Sequence, residues 1–249
     1  MSLAALNASE RLDLPPGFDL LALRESGDAY AHACRVAARE GAGTLVWVRR
    51  FDVAEFAVVL EPDAPLAECR KSFFMGMNAL LQAVAAHCPP DRAIAFDWPD
   101  ALRFNAGLVG GGRLGWPAGC DEGDVPDWLV FGAVVRLALP GDVEPGQAPE
   151  AAALEDEGFE GAGPSVIVES FARFLMLQVD IWRSAGYGPI LADYVARIAR
   201  QRSGDTLSLT PNGDLRIRLA GGSADTILPL LPALAAVTWL DPATGAPRL

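Results

Sequence analysis

Several groups of residues in this chain have the types and spacing for chemistry. Gly110-Gly111-Gly112 runs directly into Arg113. Backbone N–H groups freed of side chains can approach a carboxylate or phosphate, and the adjacent guanidinium can anchor it. The same glycines also suit a bulge or a tight packing contact, and Arg113 equally suits an ion pair with nearby acidic loops. Asp100 follows Trp98-Pro99; its carboxylate could accept a hydrogen bond from a ligand, or serve as a solvated turn acid. Cys120 ends the loop Trp116-Pro117-Ala118-Gly119. A cysteine nucleophile needs a neighbour that lowers its pKa, whereas Asp121 and Glu122 act in the opposite direction. Arg49-Arg50 is a basic pair after an apolar run, and Arg136 interrupts the apolar stretch 128–139. If buried, Arg136 needs a partner, and a structural ion pair is expected.

The scarcity of other groups is as informative. Lys71 is the only lysine among 20 basic residues, so any lysine-dependent step must use it. His32 and His87 are the only histidines, too few for a His-rich metal site, and no metal is expected. The cysteines, Cys34, Cys69, Cys88 and Cys120, form no Cys-x-x-Cys pair, which argues against a zinc or redox motif. The net charge of −12 disfavours nucleic acid. Residues 121–160 hold all but −2 of that charge, so the acidity is local and could dock a basic protein partner. No secretory signal is read at the start and no membrane span anywhere, and a cytoplasmic, reducing location is expected.

These residues must be positioned by a recognisable order of elements. A β-rich run, Phe18–Leu23, precedes Ser26-Gly27-Asp28, which offers N-cap chemistry to a helix over about 28–40. Runs 44–48 and 56–60 read as strands joined by the short charged link 49–55, and a long helix is expected over about 66–87. Segments 101–104 and 108–114 flank the hairpin signal Asn105-Ala106-Gly107. Trp128–Leu139 reads as a central strand covered on both faces. Helices are expected over 165–186 and about 190–202, with a hairpin around Pro211-Asn212-Gly213. The class is therefore α+β, a mixed or antiparallel sheet flanked by helices, with a main domain at 1–189 and a small α+β domain at 190–249.

The segment Phe96-Asp97-Trp98-Pro99-Asp100 through Gly110-Gly111-Gly112-Arg113 resembles the signature of the biotin/lipoate protein ligase and octanoyltransferase superfamily. Ser26-Gly27-Asp28 resembles that family's Ser-Thr-Asn before the first helix. Trp128–Leu137 is similar to its apolar strand ending in Gly-Ile-Asn, with Gly132 matched. Ala153–Gly158 resembles the acid-rich turn that follows. The resemblance implies a class II synthetase-like catalytic fold and a site for biotin, lipoate or octanoate, possibly with ATP. It would place ligand contacts at Gly110, Gly111 and Gly112 and relate Arg49 and Arg50 to an arginine pair of the lipoate ligases, while Asp100 and Arg113 are ligand-binding candidates by their own chemistry.

The departures from that pattern bear on the reaction. The lysine that opens the family's Trp-Pro motif is replaced by Asp97, and the lysine of the return strand falls on Leu108. The Gly-Arg-rich loop that closes over an adenylate is reduced to the link 49–55. Adenylation spreads charge over an α-phosphate and needs cations aimed at it, and an arginine fork does not reproduce a lysine point charge. The resemblance thus implies a binder of a small carboxylic acid or its adenylate in which ordinary ligase chemistry is not expected. Two alternatives remain open: an active enzyme using Cys120 or an arginine, and a non-enzymatic module using the acidic region 121–160. Acceptor domains in the family are typically acidic, so the local field favours some other protein partner. DNA binding is not implied.

Overall fold

The computed structural model describes residues 12–90, 92–141, 143, 147–159, 161–199, 204–222 and 224–249. Strand β1 (Asp19–Leu23) leads through helix α1 (Ala29–Glu40) to β2 (Thr44–Val48), which pairs with β1 in parallel. Asp28 caps α1, its side chain accepting from Ala31 N at 2.9 Å. Strand β3 (Val53–Leu60) begins at Val53, three residues earlier than its apolar run suggests, because Glu55 alternates with buried apolar neighbours along it. The predicted long helix is divided into α2 (Leu66–Cys69) and α3 (Ser72–Ala85), with Arg70 and Lys71 at the junction.

Strands β4 (Ile94–Asp97), β5 (Ala101–Phe104), β6 (Gly107–Gly115) and β7 (Leu129–Arg136) complete a seven-stranded sheet of order β1-β2-β3-β7-β6-β5-β4. The β5–β6 turn is the expected hairpin, with Phe104 paired to Gly107 and Asn105 and Ala106 both at positive φ. Such a turn matches the twist of its strands. Strand β7 sits mid-sheet and is buried along its whole length, as its unbroken apolar run requires.

Alternation along the strands separates two faces. Ala54, Phe56 and Val58 of β3, with Phe131, Ala133 and Val135 of β7, join a large core under α3 and α4 (Pro164–Ala185). The opposite parity, Ala57, Val59 and Val130, packs beneath α1. Further along that second face, Val53, Ala101, Leu108 and Val134 meet Trp239 and Leu240 from the end of the chain.

Helix α5 spans Tyr187–Ala196, so Gly188-Pro189 lies in its first turn, where proline is tolerated, and does not separate two elements. The predicted end of that helix, 200–202, lies outside the described residues. A three-stranded antiparallel sheet follows, β8 (Thr206–Leu209), β9 (Leu215–Arg218) and β10 (Asp225–Leu228), then α6 (Leu230–Ala235). Among the described residues no helix is long and apolar enough to cross a membrane.

Candidate functional site

The second sheet face, between the N-terminus of α1 and the C-terminal segment, gathers most of the charged residues singled out in the sequence. Arg113 projects from β6, one residue past the glycines. Its Nη2 lies 3.2 Å from Asp28 Oδ1, and its guanidinium stands over the Tyr30 ring, 4.3 Å from the centroid. Arg113 thus pairs with the helix cap and not with the acidic loops, because β6 carries it to the foot of α1. Desolvation pushes the Tyr30 hydroxyl up to about 12, opposed by Arg113.

Glu55 was not singled out in the sequence, although it is the lone charge in the apolar run 53–60. It is buried, and its Oε1 accepts from Ala29 N at 2.9 Å, satisfying one of the free amides that open α1. Burial raises its pKa, while the Ala29 amide and Arg50 act against this. Arg50 pairs with Asp52 at 2.6 Å, approaches Glu55 at 3.7 Å, and donates to Thr244 O at 3.1 Å. Its neighbour Arg49 bonds through its backbone to Leu23 O at 3.2 Å.

The glycines are closed in by neighbours. A Cβ at Gly110 would collide with Val134 O, and one at Gly112 would stand 2.7 Å from Met77 Sδ on the helical face. At Gly111 it would meet Asp100 O and lie 2.5 Å from Trp239 Cε2. Only Gly111 therefore looks toward the second face, and Trp239 lies against it. Leu108, at the position of the family's return-strand lysine, packs in the same apolar group as Trp239.

Asp100 is not a solvated turn acid. It is 4% exposed, and its Oδ2 has no hydrogen-bond partner. Burial pushes its carboxyl up to about 7; the Trp239 side chain opposes the shift without forming a good hydrogen bond. Arg136 also departs from expectation. In place of a carboxylate it meets main-chain carbonyls, Leu108 O at 3.4 Å, Arg248 O at 2.9 Å and Pro247 O. The reason is topological: the C-terminal segment crosses the sheet where β7 presents this side chain.

Cys120 and Lys71 belong to the other side of the molecule. Cys120 packs against the helical core, and its loop is tied to α2 by Leu66 N to Asp124 O (2.8 Å) and Arg70 to Glu122 (2.7 Å). Desolvation first, then Asp124, Asp121 and Asp127, raise the Cys120 pKa, which disfavours the thiolate. Lys71 is buried at the α2–α3 junction, with Nζ 2.7 Å from Glu68. Part of the acidic window is thus engaged internally, while Asp142, Glu144 and Glu160 lie outside the described residues.

Comparison with known proteins places the chain in a family and gives its fold relatives. The model of the biotin/lipoate A/B protein ligase family matches residues 14–196. A biotin–[acetyl-CoA-carboxylase] ligase of Paracoccus denitrificans is 28% identical over 199 residues, 77% of each chain. A biotin protein ligase-like protein of unknown function from Silicibacter superposes with a TM-score of 0.74 at 26% identity, covering 90% of this chain and 99% of that one. Biotin protein ligase from Aquifex aeolicus, in complex with biotin and ATP, reaches 0.64 at 11% identity, covering 86% and 97%, and this is a likeness of fold.

Proposed function

The chain belongs to the biotin/lipoate A/B protein ligase family, and we propose that it binds a biotin- or lipoate-like carboxylic acid, or the acid's adenylate, without ordinary adenylating ligase activity. The observation that carries this reading is the composition of the second sheet face. It presents Arg113 and Arg50 beside the opening of α1, but the only lysine of the chain is held by Glu68 in the helical layer. An anion can be attracted to such a face by guanidinium groups and by the positive end of a helix. Transition-state stabilisation at an α-phosphate asks for more, a cation held at the reacting centre. Leu108 and Trp239 instead make that part of the face apolar. The link between β2 and β3 is Arg49–Asp52, too short to cover an adenylate.

The name of the Paracoccus relative puts biotin first among the acids to be tried, and lipoate and octanoate are tried beside it because the family description also names lipoate. Calorimetric titration with each acid and with its preformed adenylate tests the binding, and ATP–pyrophosphate exchange tests the chemistry. Binding of an acid or adenylate with no exchange is the expected result. Silence from every acid and adenylate would remove the binding reading; exchange at ligase-like rates would remove the other half. Cys120→Ala leaves binding unchanged in this account, since the thiol lies with α2 and burial and nearby acids disfavour its thiolate.

A further inference from the structure

We propose that the cavity between the C-terminal segment and the ends of β3 and β7 is an oxyanion site, in which a ligand's carboxylate or phosphate replaces main-chain carbonyls on Arg136. The inference rests on the reading that this sheet face receives an acid, and adds where the charged end is held and what must move to admit it.

The cavity measures about 400 Å³ and is lined by Arg50, Arg136 and Arg248, together with Asp52 and Asp241. That volume is in the range of small-molecule sites, which are typically about 300–1,000 Å³. Of its cations, Arg50 shares its charge with Asp52 at 2.6 Å and Glu55 at 3.7 Å. Arg136 is different. It is 2% exposed, and among the described residues no carboxylate lies within ion-pair distance of it. The groups it meets are neutral carbonyls, two of them from Pro247 and Arg248. A buried guanidinium is held more strongly by an ionised acceptor than by a neutral one. Burial also lowers its pKa with no opposing anion, which fits a charge left uncompensated.

The segment that supplies those carbonyls is organised as a separate small unit. Leu240 bridges to Pro247, Asp241 N donates to Ala246 O at 2.9 Å, and Arg248 N donates to Trp239 O at 2.8 Å. The Asp241 carboxylate closes the turn on Ala243 N at 3.0 Å and Thr244 Oγ1 at 3.0 Å. These bonds are internal and would survive a movement of the whole hairpin. What pins the hairpin to the sheet is Trp239 and Leu240 in the apolar group, plus side-chain bonds from Arg136 and Arg50. An oxyanion arriving at Arg136 would compete for the last of these. The hairpin then acts as an internal stand-in for the ligand's head group, and displacing it also uncovers Gly111 and Asp100 beneath Trp239.

Hydrogen exchange read by mass spectrometry on the full chain tests this, with biotin and octanoate as carboxylate probes and inorganic phosphate as the phosphate probe. With a saturating probe, amides of residues 239–248 are expected to exchange at least about ten-fold faster, while those of β7 hold or slow. Trp239→Ala should tighten binding of the same probe about ten-fold, and Arg136→Met should weaken it about ten-fold, by removing the competitor and the anchor respectively. A carboxylate probe that binds without changing hairpin exchange, and with equal affinity for Arg136→Met, overturns this inference and leaves the acid-binding function standing. Release by phosphate alone, with no acid or adenylate bound, keeps the site and removes the acid reading. No binding by any probe overturns both. Should Arg136→Met fail to fold, the exchange measurement on the unaltered chain decides.

Discussion

The two faces of the central sheet are built from alternate residues of the same strands, yet they are chemically unlike. Phe131 of β7 faces the helices and stacks on Phe171 at 5.7 Å, and Phe56 meets the same ring at 4.5 Å. One residue further and again at every second position, β7 turns Gly132, Val134 and Arg136 to a face shared with Glu55, Arg113 and Asp100. The helical face is continuous aromatic and aliphatic packing. The other face buries charges whose partners are a helix cap, a helix amide and backbone carbonyls, the kind of costly arrangement that a purely structural surface has little reason to keep. Stability resides chiefly in the first face, and the groups proposed to hold a ligand lie on the second.

This contrast is sharpest where the expected effects are largest. Phe131→Ala, which empties a fully buried site between Phe73 and Phe171, should lower unfolding stability by about 3–5 kcal/mol in urea titration. A loss below about 1 kcal/mol would break the assignment of stability to the helical face. The next effect is in pH. Because the folded pKa of Asp100 is raised to about 7 from an ordinary value of 3.8, its neutral form is favoured in the fold. Stability is therefore fully present below the ordinary value and is lost as the pH rises towards 7. Asp100→Asn should flatten that decline and leave the variant more stable at pH 8 by roughly 2–4 kcal/mol, read by thermal unfolding across pH.

Trp239→Ala offers a direct comparison with Phe131→Ala, since both remove a buried ring. If the hairpin is a separable unit, the tryptophan variant loses only about 1–2 kcal/mol, and its exchange protection falls in residues 237–249 alone. Equal global losses in the two variants would merge the faces into one core. The smallest effect is expected at Arg113. Its pair with the half-exposed Asp28 contributes no more than about 1 kcal/mol, so Arg113→Gln should barely move the unfolding midpoint. Affinity for an acid should nevertheless fall in calorimetry, separating binding from stability at one residue.

Much of the order of elements is legible in the sequence because its signals are local. The α1 cap at Asp28, the Asn105-Ala106 turn and the apolar run of β7 all follow from neighbouring residues, and the structure adjusts only their ends. The division of the helix at Arg70-Lys71 and the earlier start of β3 were obscured by polar residues that turn out to be buried. On the second face the candidates themselves were legible but their partners were not. The residues leave Arg113 open between an anion and the acidic loops and Asp100 between a ligand and solvent, and they point Arg136 to an ion pair, whereas the structure gives Asp28, burial beneath Trp239 and main-chain carbonyls. In each case the true neighbour comes from a distant segment.

The sequence by itself determined the order of elements, the family pattern and the absence of any lysine near the Trp-Pro and glycine motifs. Those follow from residue identity and from periodicities of two and 3.6, which need no long-range information. Only the tertiary structure decided what stands on Gly111 and what Arg136 holds. Trp239 and the carbonyls of Pro247 and Arg248 reach those positions through chain reversals whose outcome is set by side-chain packing between segments remote in sequence. A backbone carbonyl carries no residue-specific mark, so a guanidinium satisfied by carbonyls cannot be distinguished in the sequence from one awaiting an acid.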